Sequence, residues 1–304
     1  MSTPTVVLIN ARAGSMHTTN SAAALSEKFQ HAGIAATVTL FKNGTELIAA
    51  ARAAVAEGVA TVVAGGGDGT ISAVASALVD STCVLGILPL GTLNHFAKDL
   101  DLPLGLDEAI AIIAAGNVET VDTGEVNGHV FLNNSSLGLY PDIVRSRERQ
   151  QRRLGRSKWP AFISASLMAL RRYPFMTVRL AADGLCEPRE TPFIFIGNNA
   201  YSMSGLTAGA RASLQDGVLS LYVAQRTSRL GLLRLAFWAL LGRLRQASDF
   251  DALQVRELRV ETKRRRLPVA ADGEVMWLQT PLCYRIRPRS LQVYVPVRST
   301  DSST

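Results

Sequence analysis

The stretch Val62-Val-Ala-Gly-Gly-Gly-Asp-Gly-Thr-Ile-Ser-Ala-Val74 places four glycines around one aspartate, directly after an apolar run and directly before a helical pattern. Glycine loses more conformational freedom on folding than any other residue. Such a run is kept only where backbone must turn sharply or come very close to something. A plain strand-to-helix turn needs one or two glycines. The surplus points to a ligand approached by bare backbone.

On either side of this run, the first ~120 residues alternate short β-branched segments with alanine-rich helical ones, the pattern of βαβ units. Thr5 to Ile9 reads as a strand, Ser21 to His31 as a helix, Ala35 to Leu40 as a strand and Thr45 to Glu57 as a helix. Ala60 to Ala64 then makes a strand, Thr70 to Val79 a helix, and Cys83 to Leu88 a strand bounded by Pro89 and Gly91. Parallel sheets of this kind bind ligands at the carboxyl ends of their strands. After Asp122 the pattern shifts to closely spaced alternating strands with turn signals, Asn127-Gly128 among them, as in an antiparallel or mixed sheet. Two helical segments interrupt it, around Trp159 to Arg172 and Leu230 to Arg245. The expected fold class is therefore α/β in two domains: a parallel α/β lobe over 1–122 and a β-rich lobe over 123–304. The last strand is free to return to the first domain, and Ser299 to Thr304 is expected to be a disordered tail.

Composition narrows the function classes. A chain of 304 residues with 47% hydrophobic content supports a sizeable core, and a net charge of +7 favours anionic partners. Cys83, Cys186 and Cys283 form no C-x-x-C, so neither a disulfide framework nor a zinc site is indicated, and a reducing cytoplasm fits. His17, His31, His95 and His129 have no ligand spacing. Thr5 to Ile9 is too short for a secretion signal. Leu230 to Gly242 carries Arg234 and falls short of the ~20 residues a bilayer span needs.

Three glycine-bearing loops at strand ends share one sheet edge: Asn10-Ala-Arg-Ala-Gly14, Gly65-Gly-Gly-Asp-Gly-Thr70 and Pro89-Leu-Gly-Thr-Leu-Asn94. Their amides and hydroxyls can converge on a polyanion. The Gly-Lys-Ser/Thr ending of a Walker A loop and the G-x-G-x-x-G fingerprint are both absent. Asp68 would repel phosphate unless it holds a cation or a ribose hydroxyl, and a magnesium nucleotide supplies both.

Gly66-Gly-Asp-Gly-Thr70, Leu88-Pro-Leu-Gly-Thr-Leu-Asn-His-Phe-Ala97, Asp216-Gly-Val-Leu-Ser-Leu221 and Ala271-Asp-Gly-Glu274, in that order, resemble the diacylglycerol kinase catalytic-domain family, which is related to sphingosine and ceramide kinases. The resemblance covers nearly the whole chain and implies a two-domain NAD kinase/diacylglycerol kinase-like fold. It implies a lipid kinase that moves the γ-phosphoryl group of ATP, with Mg²⁺, to a lipid hydroxyl, diacylglycerol being the first candidate. By the same resemblance, Asn10, Ala11, Arg12, Ala13 and Gly14, Thr39, then Gly66, Gly67, Asp68, Gly69, Thr70 and Ile71, and finally Thr92 contact ATP. Glu274 is the implied catalytic base, with Asp68 also at the reacting centre. Ser213, Asp216 and the Val218 carbonyl are the implied metal ligands, although some relatives carry Asp where this chain has Ser213. His95 likewise stands where many relatives have Asp.

On residues alone, Glu274 and Asp216 could equally belong to plain Asp-Gly turns. The alternatives are an NAD kinase-like enzyme with a soluble acceptor, against which the Asp216-Gly and Asp272-Gly-Glu elements argue, and a non-catalytic nucleotide or lipid sensor. Arg145 to Lys158 runs into Trp159-Pro-Ala-Phe-Ile163, and Lys263-Arg-Arg-Arg266 precedes the Asp-Gly-Glu element. Basic runs of this kind rest a peripheral protein on anionic lipid or form a solvated face. Nucleic acid is not an expected partner, because no aromatic platform accompanies the charge. Homodimerisation stays open. The expected location is the cytoplasm, with peripheral contact at the inner membrane face.

Overall fold

The computed structural model describes residues 5–13, 22–138, 176–182, 185–201, 211, 213–224 and 250–297. Two compact units divide the chain, Met1–Thr123 with Pro288–Thr304, and Gly124–Arg287.

The first unit contains β1 (Thr5–Asn10), α1 (Ala22–His31), β2 (Ala36–Phe41), α2 (Gly44–Ala56), β3 (Thr61–Gly66), α3 (Asp68–Leu78), β4 (Val84–Pro89), α4 (His95–Asp99), α5 (Leu106–Ala115) and the start of β5 (Val118–Val126). Its sheet runs β2-β1-β3-β4, with every pair parallel. Asn10 lies opposite Phe41, Gly65 opposite Ile9 and Gly66 opposite Pro89, so the carboxyl ends of these strands form one level edge. β3 is buried at every position, as a central strand covered on both faces must be.

Local chemistry sets the helix ends. Asn43 opens α2 by accepting the Thr45 N–H at 3.0 Å. Asp107 and Glu108 occupy the first turn of α5, and Gly116 closes it in the left-handed region at φ +72°. Leu25 and Phe29 of α1, and Ile110 and Ile113 of α5, bury one face each against Val7, Ile9, Val63 and Leu88 of the sheet.

The second unit holds the rest of β5, then β6 (His129–Phe131), β7 (Asn134–Gly138), β8 (Met176–Ala182), β9 (Leu185–Thr191), β10 (Phe193–Asn198), β11 (Leu219–Ala224) and β12 (Phe250–Val255). It continues with β13 (Glu257–Glu261), β14 (Arg266–Ala271), β15 (Glu274–Gln279) and the first part of β16 (Leu282–Tyr294). An antiparallel sheet runs β12-β11-β10-β7-β14-β15. In a second sheet β13 pairs antiparallel with β8 and with the opening residues of β16, and β8 pairs with β9. Their inner faces share one core, with Leu137, Ile194, Leu221 and Val269 from the first sheet and Val178, Val260, Leu282 and Tyr284 from the second.

Tyr284 is fully enclosed; its hydroxyl meets Ser135 Oγ at 3.1 Å and its ring stands edge-on to Phe131 at 6.4 Å. Burial pushes its phenol pKa up. The end of β16 belongs to the first unit, where Gln292 and Val293 pair parallel with Val84 and Leu85 of β4.

The expected fold class is observed: a parallel α/β lobe at the N-terminus and a β-rich lobe after it. The seven elements expected before Asp122 all form, each within two residues of the expected ends. The sequence pattern predicts no element between Leu88 and Asp122, where α4, α5 and the start of β5 form. The expected helices around 159–172 and 230–245, the basic run 145–158 and the tail 299–304 lie outside the described residues. Among the described residues, no helix is long and apolar enough to cross a membrane.

Candidate active site

In the first unit the three glycine-bearing loops are joined by hydrogen bonds and by backbone contact. Asn10, the last residue of β1, donates from Nδ2 to Thr70 Oγ1 at 2.9 Å, and its Oδ1 accepts the Arg12 N–H at 3.0 Å. Ala11 and Ala13 follow it, Ala11 tied to the Phe41 carbonyl and Ala13 to the Asn10 carbonyl. Gly14 lies outside the described residues. Gly67 caps α3, so Asp68, Gly69 and Thr70 form the helix's first turn, with Ile71 buried behind them. The opening amides of a helix carry its positive dipole end and lack partners within the helix, the arrangement that can receive an anion.

The loop after β4 packs directly on that turn. A Cβ added at Gly91 would lie 2.4 Å from Gly67 Cα, closer than any side chain tolerates. Asn94, buried and left-handed at φ +50°, accepts the Gly91 N–H at 3.0 Å. Its Nδ2 donates to the Pro89 and Gly91 carbonyls at 3.2 and 3.0 Å. Asp68 is tied to the same segment, since its Oδ1 accepts the Phe96 N–H at 3.3 Å. Thr92 is exposed on this loop.

Thr39 is placed differently. It is exposed on edge strand β2, in register with Leu8 and two residues short of the strand's end, and it takes no part in this bonded set among the described residues.

Gly91→Ala is therefore expected to push the two loops apart. Overpacking of this kind costs about 1–3 kcal/mol, and the same displacement should weaken nucleotide binding. Denaturant unfolding and a nucleotide titration on the variant check both effects; unchanged values in both would show that the loops tolerate separation.

In the second unit Asp272 and Gly273 form the two-residue turn between β14 and β15, at φ +46° and +84°. The Asp272 carboxylate reaches well beyond that turn. Oδ2 accepts the Leu132 N–H at 2.7 Å, and Oδ1 accepts the Asn133 and Asn134 N–H groups at 2.8 and 3.1 Å. The carbonyl side of the same 132–134 segment is held by Arg211, Asn198 and Tyr201. Arg211, itself buried, donates to the Leu132 carbonyl at 2.6 Å and to Asn133 Oδ1 at 2.9 Å. Asn198 Nδ2 donates to the Leu132 carbonyl, and Tyr201 Oη to the Asn133 carbonyl. Glu274 opens β15 opposite Ala271, exposed, beside a turn locked from both sides.

The Asp-Gly pair at Asp216 sits in a looser arrangement. Ser213 Oγ accepts the Gln215 N–H at 3.0 Å, Asp216 Oδ2 lies 3.4 Å from the Ala200 N–H, and the Val218 carbonyl accepts the Asn199 N–H at 2.9 Å. One carboxylate, one hydroxyl and one carbonyl are hard oxygen donors, the kind Mg²⁺ and Ca²⁺ accept, but they bring a single negative charge. Among the described residues, no group of three or more His, Cys, Asp or Glu is gathered for a metal ion.

Asn94, Arg211 and Asp272 are absent from the site expected from sequence. Asn94 and Asp272 stood inside the quoted stretches Leu88–Ala97 and Ala271–Glu274 without a role of their own, and an isolated arginine such as Arg211 carries no local signature.

Residues 4–126 match the model of the diacylglycerol kinase catalytic domain. Residues 142–295, more than half of the 304-residue chain, match that of the YegS C-terminal NAD kinase beta sandwich-like domain. An uncharacterized protein of Synechocystis sp. is 30% identical over 250 residues, 80% of this chain and 57% of the relative. "Probable lipid kinase YegS" of Escherichia coli is 33% identical over 172 residues, 55% of this chain and 56% of the relative. The chain thus spans a little over half the length of the curated relatives it matches. A crystal structure of a diacylglycerol kinase from Bacillus anthracis str. Sterne superposes with a TM-score of 0.68 at 19% identity, covering 97% of each chain, a likeness of fold. The chain belongs to the diacylglycerol kinase catalytic-domain family, with a C-terminal domain of the YegS type.

Proposed function

We propose that this chain is an ATP- and magnesium-dependent lipid kinase that phosphorylates a hydroxyl of a lipid such as diacylglycerol. The observation that carries the reading is the glycine-walled N-terminus of α3, bonded to the loops after β1 and β4, in a chain of this family. The first amides of α3 receive phosphate oxygens, and Asn10 and Thr70 hold the rim of that cradle. Asp68, steadied by the Phe96 N–H, offers its carboxylate to a cation or a ribose hydroxyl. Magnesium bound with the nucleotide would offset the negative charge of the transferred group, with Asp68 the carboxylate that would hold it. Asp216, Ser213 and the Val218 carbonyl would hold a further cation at a site of low charge. Glu274 accepts the proton of the lipid hydroxyl as its oxygen bonds to the γ-phosphorus. The bond from that phosphorus to the bridging oxygen breaks, and ADP leaves. The place of work is the cytoplasmic face of a membrane.

Incubation with radiolabelled ATP, Mg²⁺ and a bacterial total lipid extract in mixed micelles, followed by thin-layer chromatography, tests the reading. A labelled lipid is the expected product, and its identity names the acceptor. Label in NAD alone would turn the assignment to an NAD kinase-like enzyme. Nucleotide binding with no labelled product would leave a sensor.

A further inference from the structure

We propose that the β14–β15 hairpin, with the basic turn that precedes it, is the surface through which the protein docks on anionic lipid bilayers, an inference that rests on the lipid kinase reading for its purpose. Lys263, Arg264, Arg265 and Arg266 are all exposed, and no acidic residue follows until Asp272. Their turn is fixed: Thr280, just past β15, donates its hydroxyl to the Arg264 carbonyl at 2.6 Å and its N–H to the Arg265 carbonyl at 3.1 Å. Four cations are therefore held against the end of one hairpin rather than spread along a loose loop.

The register supplies the second half of the surface. Trp277 of β15 lies directly opposite Pro268, and Arg266 lies opposite Gln279. Residues opposite one another or two apart share a face, so Arg266, Pro268, Trp277 and Gln279 project from the same side of the hairpin. The other side carries Leu267, Val269 and Leu278 into the core. Trp277 is 55% exposed on β15, the last strand of its sheet among the described residues. An indole beside cations is the pairing that suits a headgroup layer, the ring settling at the acyl boundary while the charges meet lipid phosphates.

The placement also suits the reaction. Glu274 stands three residues up the same strand, about 10 Å away at the usual strand rise. Alternation assigns it to the opposite face, so contact through Trp277 leaves the carboxylate uncovered. A lipid hydroxyl lies at headgroup depth, the level at which this hairpin would rest.

Sedimentation of the full chain with vesicles, without nucleotide, reads docking alone. The parent protein should bind phosphatidylcholine–phosphatidylglycerol vesicles, release them as salt rises, and ignore pure phosphatidylcholine. Arg264→Gln/Arg265→Gln should weaken that partitioning about 30-fold, and Trp277→Ala roughly tenfold. Phosphorylation of a short-chain, monomeric lipid by both variants should match the parent. Parent-like vesicle binding by both variants would overturn the proposal. So would a loss that follows the 145–158 cations instead, or a preference of the hairpin for duplex DNA over vesicles. Kinase activity on monomeric lipid with no vesicle binding would sink docking and spare the kinase. Vesicle binding with no lipid phosphorylated would do the reverse.

Discussion

Glu274→Gln is expected to lower turnover by about 10²–10⁴-fold, the usual contribution of a positioned general base, while nucleotide affinity stays at the parent value. The substitution keeps the size of the side chain and its place at the head of β15, and removes its charge and its capacity to take a proton. The residues assigned to the nucleotide, from Asn10 to Thr92, belong to the first unit and Glu274 to the second, so the change leaves the α3 cradle as it was. Glu274 is exposed, and an exposed substitution of this kind shifts stability by no more than about 0.5 kcal/mol. A loss in kcat with unchanged KM for ATP would mark an interaction made in the transition state. Turnover within a few-fold of the parent would remove Glu274 from the chemistry and return the Asp272-Gly273 turn to a purely structural role.

What could be read from sequence and what could not divide along a physical line. β1 to β4 and α1 to α3 were legible because each is short, strongly periodic and bounded by glycine, proline or a capping side chain, so local pattern and tertiary role agree. α5 escaped because its Ile-Ala-Ile-Ile-Ala-Ala stretch is an apolar run that periodicity alone cannot assign to helix or strand. The length of β16 escaped as well. Pro288 and a left-handed Arg289 at φ +48° interrupt it, and both read as a break, yet pairing with β13 before them and β4 after them carries the strand through. The site follows the same division. Gly66, Gly67 and Gly91 were visible because a backbone that must come close needs glycine whatever its partner, and the Cβ clashes at Gly66 and Gly91 show what that need is. The tie from Asp272 to Leu132 spans 140 residues and that from Arg211 to Leu132 spans 79. No period or motif encodes contacts of that range; they exist only once the sheet has brought β7, β10 and β14 side by side.

Asp272→Asn is the second change expected to have a large effect, acting on stability as well as rate. Both carboxylate oxygens are committed as acceptors, one to Leu132 and the other to Asn133 and Asn134. An amide has only one oxygen, so whichever way it turns, an NH₂ faces at least one backbone N–H that needs an acceptor. Hydrogen bonds to a charged group are worth about 1.5–3 kcal/mol each, and a donor left without a partner costs a further 1–3 kcal/mol unless water reaches it, so a loss of about 3 kcal/mol is expected. Asparagine tolerates the left-handed conformation at this position as well as aspartate does, so the change isolates the hydrogen bonds from backbone strain. Asp272→Ala removes the acceptors together with the polar side chain that eases a left-handed backbone at φ +46°, and should be the less stable of the two. Hydrogen exchange locates the effect: the Leu132, Asn133 and Asn134 amides should lose protection first, before the strands of either sheet. Because Arg211 and Tyr201 hold only the carbonyls of that segment, they cannot replace the missing anion. The hairpin that presents Glu274 would then move, and kcat should fall in the asparagine variant even under conditions where it stays folded. Parent-like exchange at these three amides would show that the segment is held by its carbonyl side alone, and would confine Asp272 to making the turn.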